Sequence, residues 1–529
     1  VKVLVAEPMS PAAIELLQAQ PGWDVVVSNP KEYEAHLADC EAMIVRSAVK
    51  VKAETLAKAP KLRVIGRAGV GVDNVDLKAA TVAGVLVMNT PGGNAVSVAE
   101  HTFALMLALA RMVPAATVST LAGKWEKKKF LGNELRGKTL GVIGMGNIGQ
   151  QVVRRARGFE MRVLVADPYV NPQIAADLGA EIVEQDKLFA AADYISLHPP
   201  KTPETVHMLN AAAFARMKDG VRIINCARGE LIEAQALKDA LVSGKVAGAG
   251  LDVFEPEPFT TDNPLATAPN VVATPHIAGS TEEAQEIVGI RIVEQMAEYL
   301  NHGVAINAVN MPAITPQQYK AIGPYIALAE RLGRFASLIS TGPVKAVRVS
   351  YSGRIAGMNT SLLRNSALAG VLSRALNSRV NFINAFQLAG QRGVSVNESH
   401  EAIPVATEGI RVEVETEQGV TPVFGAVVLG KARLLEVYGI RVEVPLSGCL
   451  IFMRNHDVPG VIGHVGTVLG RNSVNIANFS LGRDEGEPEP GKPLRAVAVV
   501  EVDAPIGDNV IAELRTNPAV RFASVVTLD

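Results

Sequence analysis

The first 310 residues alternate short, almost wholly apolar runs with longer stretches in which apolar residues recur every three or four positions. Val1–Ala6, Trp23–Val27, Ala42–Val45, Arg63–Ile65 and Val85–Asn89 read as strands, with helices at Pro11–Gln18 and ahead of Pro60. Runs that are apolar throughout suit strands buried on both faces, and alternation with helices predicts a parallel α/β sheet. Val98–Arg111 is a long apolar helix, suited to a core or to an interface between copies of the chain. The alternation then restarts at Thr139, with strands at Arg162–Ala166, Glu181–Val183, Tyr194–Leu197, Val221–Cys226 and Val271–Ala273. Helices are predicted at Pro172–Leu178, Lys187–Ala191 and Glu233–Ser243, and one at Ser280–Leu300 returns the chain to the first unit. The second unit is therefore inserted into the first.

Beyond Asn307–Pro312 the pattern changes to a mixed α+β unit. Helices Gly323–Leu338 and Asn359–Leu376 flank strand Val344–Tyr351, Asn384–Gly390 continues the unit, and Arg411–Glu415 pairs with Thr421–Leu429 as a hairpin. From Cys449 a βαββαβ order follows: strands Leu450–Arg454, Val474–Gly482, Ala496–Val502 and Val520–Leu528, helices Val461–Asn472 and Ile506–Thr516, and a polar loop Arg483–Pro493. The expected division is 1–96 with 284–310, then 97–283, 311–447 and 448–529.

Composition narrows the function classes. A chain of 529 residues is too long for one core. Its 51 Lys+Arg against 53 Asp+Glu give no electrostatic case for nucleic acid or an acidic membrane as partner. No apolar run reaches the roughly 18 residues of a membrane helix. Cys40, Cys226 and Cys449 lie far apart and the nine histidines form no H-x-x-x-H pair, so no metal site is expected. Unpaired cysteines and the absence of a secretory segment at Val1 point to the cytoplasm.

The most specific chemistry begins at Thr139. A short strand runs into Gly144-Met145-Gly146-Asn147-Ile148-Gly149, a helix follows, and the next strand ends on Asp167, 18 residues past Gly149. The G-x-G-x-x-G turn serves a tight bend, a backbone approach to pyrophosphate and close helix–strand packing. The helix N-terminus offers free N–H groups to the pyrophosphate, and the acid suits the ribose hydroxyls of NAD. Three later strand ends carry Arg228, Glu257 and His276. Hydride transfer from a 2-hydroxy acid needs a fixed cation for the carboxylate and carbonyl, an acid/base near neutrality, and a carboxylate that raises the pKa of that base. In the first unit Arg46-Ser47 and Arg67-Ala68-Gly69-Val70-Gly71 follow strands and suit a small anion. Each has a plainer reading too: the arginines equally fit solvated surface residues, Pro275-His276 more often marks a capping or core histidine, and His101 a packed one. The basic run Gly123–Phe130 reads as a solvated face.

In combination, Gly144–Gly149, Asn225-Cys226-Ala227-Arg228-Gly229, Leu251–Pro258 and Pro275-His276 resemble the D-isomer-specific 2-hydroxyacid dehydrogenases. Val45-Arg46-Ser47-Ala48, Gly66–Asp76 and Gly123-Lys124-Trp125 narrow the match to the phosphoglycerate-oxidising branch, in the long form with intervening and ACT domains. The resemblance implies a Rossmann NAD-binding domain inserted in a flavodoxin-like outer domain, and NAD-dependent oxidation of 3-phosphoglycerate, which opens a route to L-serine. It implies Arg228, Glu257 and His276 as the catalytic set. Gly144, Gly146, Asn147, Ile148, Gly149, Asp167, Pro199, Cys226, Ala227, Arg228, Asp252, His276, Ala278 and Gly279 are the expected cofactor contacts. Arg46, Ser47, Arg67, Val70 and Gly71 would hold substrate, and Lys127–Lys129 would reach a neighbouring subunit's cleft. Pro199, where many relatives carry a hydroxyl residue, and Ile277-Ala278-Gly279 after the histidine depart from the family pattern. In the intervening domain Lys431 and Arg433 fit either an anion site or plain surface charge. Asp457-Val458-Pro459-Gly460 before a helix, with Val474-Asn475-Ile476 after it, resembles the ACT amino-acid site, so Asn455, Asp457 and Asn475 are expected to bind L-serine as effector in a homodimer or homotetramer. A glyoxylate or hydroxypyruvate reductase, or a non-enzymatic NAD-sensing scaffold, would share the Arg–Glu–His set.

Overall fold

Four sheets carry the chain. The computed structural model describes residues 1–312, 316–374, 380–401, 407–486 and 493–528. The end of the helix expected at Asn359–Leu376 and most of the Arg483–Pro493 loop lie outside the described residues.

The outer domain is a five-stranded parallel sheet: β1 (Lys2–Val5), β2 (Asp24–Val27), β3 (Ala42–Val45), β4 (Val64–Arg67) and β5 (Leu86–Met88), in the order β2-β1-β3-β4-β5. Its central strands are buried on both faces, as their unbroken apolar runs require. The helix Glu282–His302 returns to cover it, starting from Thr281, whose hydroxyl accepts from Ala284 N, and ending on left-handed Gly303. Val288, Ile292, Val293 and Met296 of that helix pack against β1, β3 and β4.

The inserted domain is a seven-stranded parallel sheet of β6 (Thr139–Ile143), β7 (Arg162–Ala166), β8 (Glu181–Ile182), β9 (Tyr194–Leu197), β10 (Val221–Asn225), β11 (Val246–Leu251) and β12 (Val271–Ala273), in the order β12-β11-β10-β9-β6-β7-β8. The order reverses between β6 and β9, which makes the crevice above their carboxyl ends the expected ligand position. Helix Ala95–Arg111 is spent on this core, burying Val98, Phe103, Met106 and Leu109. Val96 and Leu107 of that helix stay exposed, and more apolar surface lies on the next helix, Val113–Leu121, which buries no side chain and leaves Leu121 84% exposed.

The third sheet, β13 (Val344–Ser352), β14 (Ser395–Glu401), β15 (Gly409–Thr416), β16 (Gly419–Val428), β17 (Lys431–Val437) and β18 (Ile440–Pro445), is mixed, in the order β14-β13-β15-β16-β17-β18. The expected hairpin is β15–β16, turning at Glu417-Gln418. The fourth is antiparallel: β19 (Gly448–His456), β20 (Ile476–Arg483), β21 (Arg495–Val502) and β22 (Val520–Leu528), in the order β20-β21-β19-β22. With helices Val461–Arg471 and Asp508–Leu514 it completes the βαββαβ order.

The last two domains share a core. Leu450, Phe452, Val499 and Val526 of the fourth sheet pack with Leu328, Leu332, Phe335 and Ile339 of helix Pro316–Ile339. Phe335 meets Phe452 edge-on, with ring centroids 5.8 Å apart. Phe452 is fully buried, so Phe452→Ala is expected to cost about 3–5 kcal/mol. Denaturant unfolding followed by circular dichroism should show an earlier C-terminal transition, with dehydrogenase turnover below that transition kept. A wild-type unfolding curve would show that the two sheets do not depend on this contact.

Candidate active site

Two sets of loops, one from each parallel sheet, meet at the strand carboxyl ends. On the inserted domain, Gly144 turns with φ +85°, and a Cβ there would lie 2.8 Å from Pro199 N. A Cβ at Gly149 would lie 2.2 Å from Gly144 O, so the helix Asn147–Gly158 starts in direct contact with the turn. Gly146, by contrast, faces open space, and no side chain caps the helix N-terminus. Asp167 accepts from Met145 N at 2.6 Å and from Tyr169 N at 2.8 Å, which sets its carboxylate beside the glycine turn. An open glycine, uncapped N–H groups and a carboxylate alongside fit the pyrophosphate and ribose of NAD. His198, at the end of β9, bonds Ser196 Oγ through Nε2 at 2.8 Å, and burial pushes its pKa down to about 4, so it stays neutral beneath the turn. Burial likewise pushes the Cys226 thiol up to about 12.

The His276 loop is held by Asp252. This carboxylate has no solvent exposure and accepts from Thr274 Oγ1 (2.6 Å), Ile277 N (2.9 Å) and Ala278 N (2.8 Å). Burial alone would raise its pKa, but hydrogen bonds from His101, Thr274 and the loop amides outweigh that and hold it below the usual carboxylate range. The family resemblance makes Asp252 an expected cofactor contact; in the structure its oxygens hold the loop that carries His276. His101, expected to be merely packed, bonds Thr274 Oγ1 at 2.9 Å and belongs to the same network. His276 itself adopts φ +56°, held by its N–H to Asp252 O at 2.8 Å. Its Nδ1 lies 2.8 Å from Glu257 Oε2, while the ring remains 52% exposed toward the cleft. That bond makes Nδ1 the protonated nitrogen and leaves Nε2 as the acceptor. Hydrogen bonding to Glu257 raises the His276 pKa, against burial and the charge of Arg228.

Arg228 follows β10 in a turn held by Asn225, whose side chain accepts from Ala227 N at 3.0 Å and donates to Arg228 O at 2.8 Å. Its guanidinium crosses the cleft to Asp73 Oδ2, 3.0 Å away, and lies so close to Gly71 that a Cβ there would come within 2.3 Å of it. Bare glycine thus lets an inner-domain cation meet the outer-domain loop.

On the outer domain Arg67 folds over Gly69, where its Nε is buried without a partner. Burial first, then Arg228 and Arg46, push its pKa down to about 10. A half-buried cation with its Nε enclosed and unpartnered, repelled by two others, suits an anion. Val70 O accepts from Asn89 Nδ2 at 2.6 Å, Arg46 donates through Nη1 to Pro8 O at 3.0 Å, and Ser47 is exposed beside it.

Among the residues expected at the effector site, Asn455 points inward with Oδ1 buried and unpartnered, Asp457 pairs with Arg483 at 3.2 Å, and Asn475 bonds Asp503 at 2.5 Å. Lys431 is exposed at the start of β17, while Arg433 has its Nε buried without a partner. Lys127–Lys129 form a short exposed turn, with Lys127 stacked 5.7 Å from the centre of the Trp125 ring.

Comparison with known proteins follows the same division. The D-isomer specific 2-hydroxyacid dehydrogenase NAD-binding domain matches residues 103–278, the D-3-phosphoglycerate dehydrogenase intervening domain 321–438, and the ACT domain 450–519. A D-3-phosphoglycerate dehydrogenase of Archaeoglobus fulgidus is 42% identical over 92% of this chain and 93% of its own length. That of Methanocaldococcus jannaschii is 41% identical over the whole of both chains. The chain belongs to the D-3-phosphoglycerate dehydrogenase family. Among solved structures, D-lactate dehydrogenase of Aquifex aeolicus, complexed with NAD and lactic acid, superposes with a TM-score of 0.52 at 32% identity, covering 59% of this chain and all of its own. The phosphoglycerate dehydrogenase relatives thus span all four sheets, whereas the lactate dehydrogenase accounts for little more than half of the chain. The chain is an NAD-dependent oxidoreductase of the 2-hydroxyacid type.

The His276–Glu257 pair gives a direct test. In an NMR titration the His276 imidazole should have its midpoint above the ordinary histidine value, and Glu257→Gln should move it to lower pH. An unmoved midpoint would show that the carboxylate does not hold the ring.

Proposed function

We propose that the chain oxidises the C2 hydroxyl of 3-phospho-D-glycerate to 3-phosphohydroxypyruvate. The observation that carries this reading is the cation cluster: Arg228 reaches the cleft from one domain while Arg46 and the half-buried Arg67 line it from the other. A substrate with a carboxylate at one end and a phosphate at the other is matched by cations on both walls. A 2-hydroxy acid without the phosphate leaves the outer pair unanswered.

Bound NAD supplies the hydride acceptor for the C2 hydrogen. Gly144–Gly149 and the helix that follows would hold its pyrophosphate. Asp167 would hold the ribose hydroxyls and repel a 2′-phosphate, favouring NAD over NADP. His276 Nε2 takes the hydroxyl proton as the C2 oxygen becomes a carbonyl, and Glu257 stabilises the imidazolium that forms. Arg228 orients the carboxylate and binds the developing carbonyl oxygen through its planar fork. Closing the two domains on substrate excludes water before transfer. Because the His276 pKa is raised, the neutral ring needed for oxidation is reached only above the ordinary histidine range.

His276→Ala should lose most of kcat, roughly a hundredfold or more, in the range typical of a lost acid/base. Arg46→Ala should mainly raise KM for the phosphorylated substrate. NADH oxidation with phosphohydroxypyruvate and with hydroxypyruvate reads both effects. Equal efficiency on the two ketones would favour a hydroxypyruvate or glyoxylate reductase, and wild-type turnover by His276→Ala would remove its assignment.

The ACT domain extends the reading to regulation by L-serine. Gly460, at φ +94°, opens the uncapped helix Val461–Arg471 beside Asp457, and the buried Asn455 Oδ1 lacks a partner. An amino-acid effector there would be met by helix N–H groups at its carboxylate and by Asp457 at its ammonium. Inhibition by serine should be lost in Asp457→Ala and Asn475→Ala; inhibition unchanged in both would dismiss the site.

A further inference from the structure

The buried carboxylate of Glu7 takes no part in the chemistry above, yet it is placed where the substrate loop is made. It sits two residues beyond β1, at the carboxyl end of the outer sheet, and is only 5% exposed. Oε1 accepts from Arg46 N at 2.8 Å and Val49 N at 2.9 Å, and Oε2 accepts from Ala48 N at 3.0 Å. Three of the four amides from Arg46 to Val49 thus end on one carboxylate. The carbonyls of the same loop are taken by another residue. Asn74 Nδ2 donates to Arg46 O at 3.0 Å and to Val49 O at 2.7 Å. Asn74 lies on the second substrate loop, Val70–Asp76, which Val51 joins by a bridge to Val75. The two loops are therefore one hydrogen-bonded unit, closed on its donor side by Glu7 and on its acceptor side by Asn74.

We propose that Glu7 is the positioning residue that sets the phosphate selectivity of this enzyme: it fixes the Arg46 loop and balances the charge of the cations that meet the phosphate. This rests on the phosphoglycerate reading given above.

Two physical arguments support the assignment. A carboxylate buried to this degree is tolerated only when hydrogen bonds replace its water, and backbone amides are rigid donors that fix the loop in return. A loop so fixed presents Arg46 without a loss of freedom on binding. The second argument is electrostatic. The cluster of Arg46, Arg67 and Arg228 is mutually repulsive, and Glu7 is a buried negative charge that favours the charged form of Arg67. The hydrogen bonds of Glu7 go to the Arg46 loop and not to Arg228 or His276, so its influence falls on the phosphate end of the site and not on proton or hydride transfer.

Glu7→Gln keeps the size of the side chain but removes the charge, and its NH2 group must face one or more backbone N–H groups. In the full-length enzyme KM for phosphohydroxypyruvate should rise at least about tenfold, the loss expected when charged hydrogen bonds are broken, with kcat and KM for NADH within about twofold. KM for unphosphorylated hydroxypyruvate should hardly move, so the preference for the phosphorylated ketone falls by about the same tenfold. Glu7→Asp, which restores the charge, should recover part of that preference. A Glu7→Gln enzyme that loses both ketones in proportion, or keeps the wild-type preference, overturns the proposal. If Glu7→Gln does not fold, Asn74→Ala loosens the same loop from its other side and decides by the same ratio. A wild type with no preference for the phosphorylated ketone overturns the phosphoglycerate reading as well, whereas a preference that survives in both variants overturns only the role of Glu7.

Discussion

The site depends on how loop amides are satisfied at the carboxyl ends of parallel strands. Strands buried on both faces deliver the chain into loops whose N–H groups have no ladder partner, and an unpaired buried amide is costly. In each parallel domain a buried carboxylate answers this need. Asp252 gathers the hydroxyl of Thr274 and the amides of Ile277 and Ala278. Glu7 gathers the amides of Arg46, Ala48 and Val49. One loop carries the imidazole, the other the outer arginine. The chemistry is thus positioned by anions that do not face the cleft.

The cleft itself is an unbalanced arrangement of charge. Arg228, Arg67 and Arg46 converge, while Asp73 reaches Arg228 from the opposite domain and Glu257 is committed to His276. Burial, with the charges of Arg228 and Arg46, lowers the Arg67 pKa to about 10 even though Glu7 and Asp73 act the other way. A bound dianion would reverse that penalty. The same field lowers the His276 pKa through Arg228, and the Glu257 hydrogen bond outweighs it. Arg228 thus acts on both His276 and Arg67, and in the proposed mechanism it would link proton transfer to anion binding across the domain boundary.

Much of this was legible in the sequence because it is written in local patterns. Apolar runs gave β3, β9 and β12 their full extents, and the glycine turn with Asp167 located the crevice. Arg228 and His276 stand just past the ends of β10 and β12 as expected, whereas Glu257 reaches His276 from a loop six residues beyond β11. What the sequence hid is long-range. Glu7 is one acid after one strand, 39 residues from Arg46, and nothing local marks it as a loop anchor. Asp252 is expected from the family resemblance as a cofactor contact, and its hold on the His276 loop is not legible because those partners lie more than 20 residues away. His101 sits in an apolar helix pattern that gave no sign of Thr274, 173 residues on. Strands β14, β17 and β18 escaped because their half-exposed sequences lack an unbroken apolar run.

The last two domains are not an appendage joined by one strand of chain. Asn381 Nδ2 donates to Gly84 O at 2.8 Å and Asn384 Nδ2 to Val82 O at 3.3 Å, and Ile383 packs into the core of the outer sheet. The helix receiving them, Leu77–Val82, begins at Asp76, directly after the loop that carries Gly71 and Asn74. At the other end the fourth sheet packs its Phe452 face on helix Pro316–Ile339, so no solvent layer separates it from the third. A ligand at the C-terminal sheet can change affinity at the cleft only by favouring one packing of this series over another. The path is continuous: Val461–Arg471 and β19, the shared core around Phe335, the Asn381–Asn384 segment, the Leu77–Val82 helix, and the loop that Glu7 and Asn74 hold closed. On the proposed reading the hydrogen-bonded loop is the last element of that path before substrate, so such coupling would meet the active site at the fixing of Arg46 rather than at the Arg228–Glu257–His276 set.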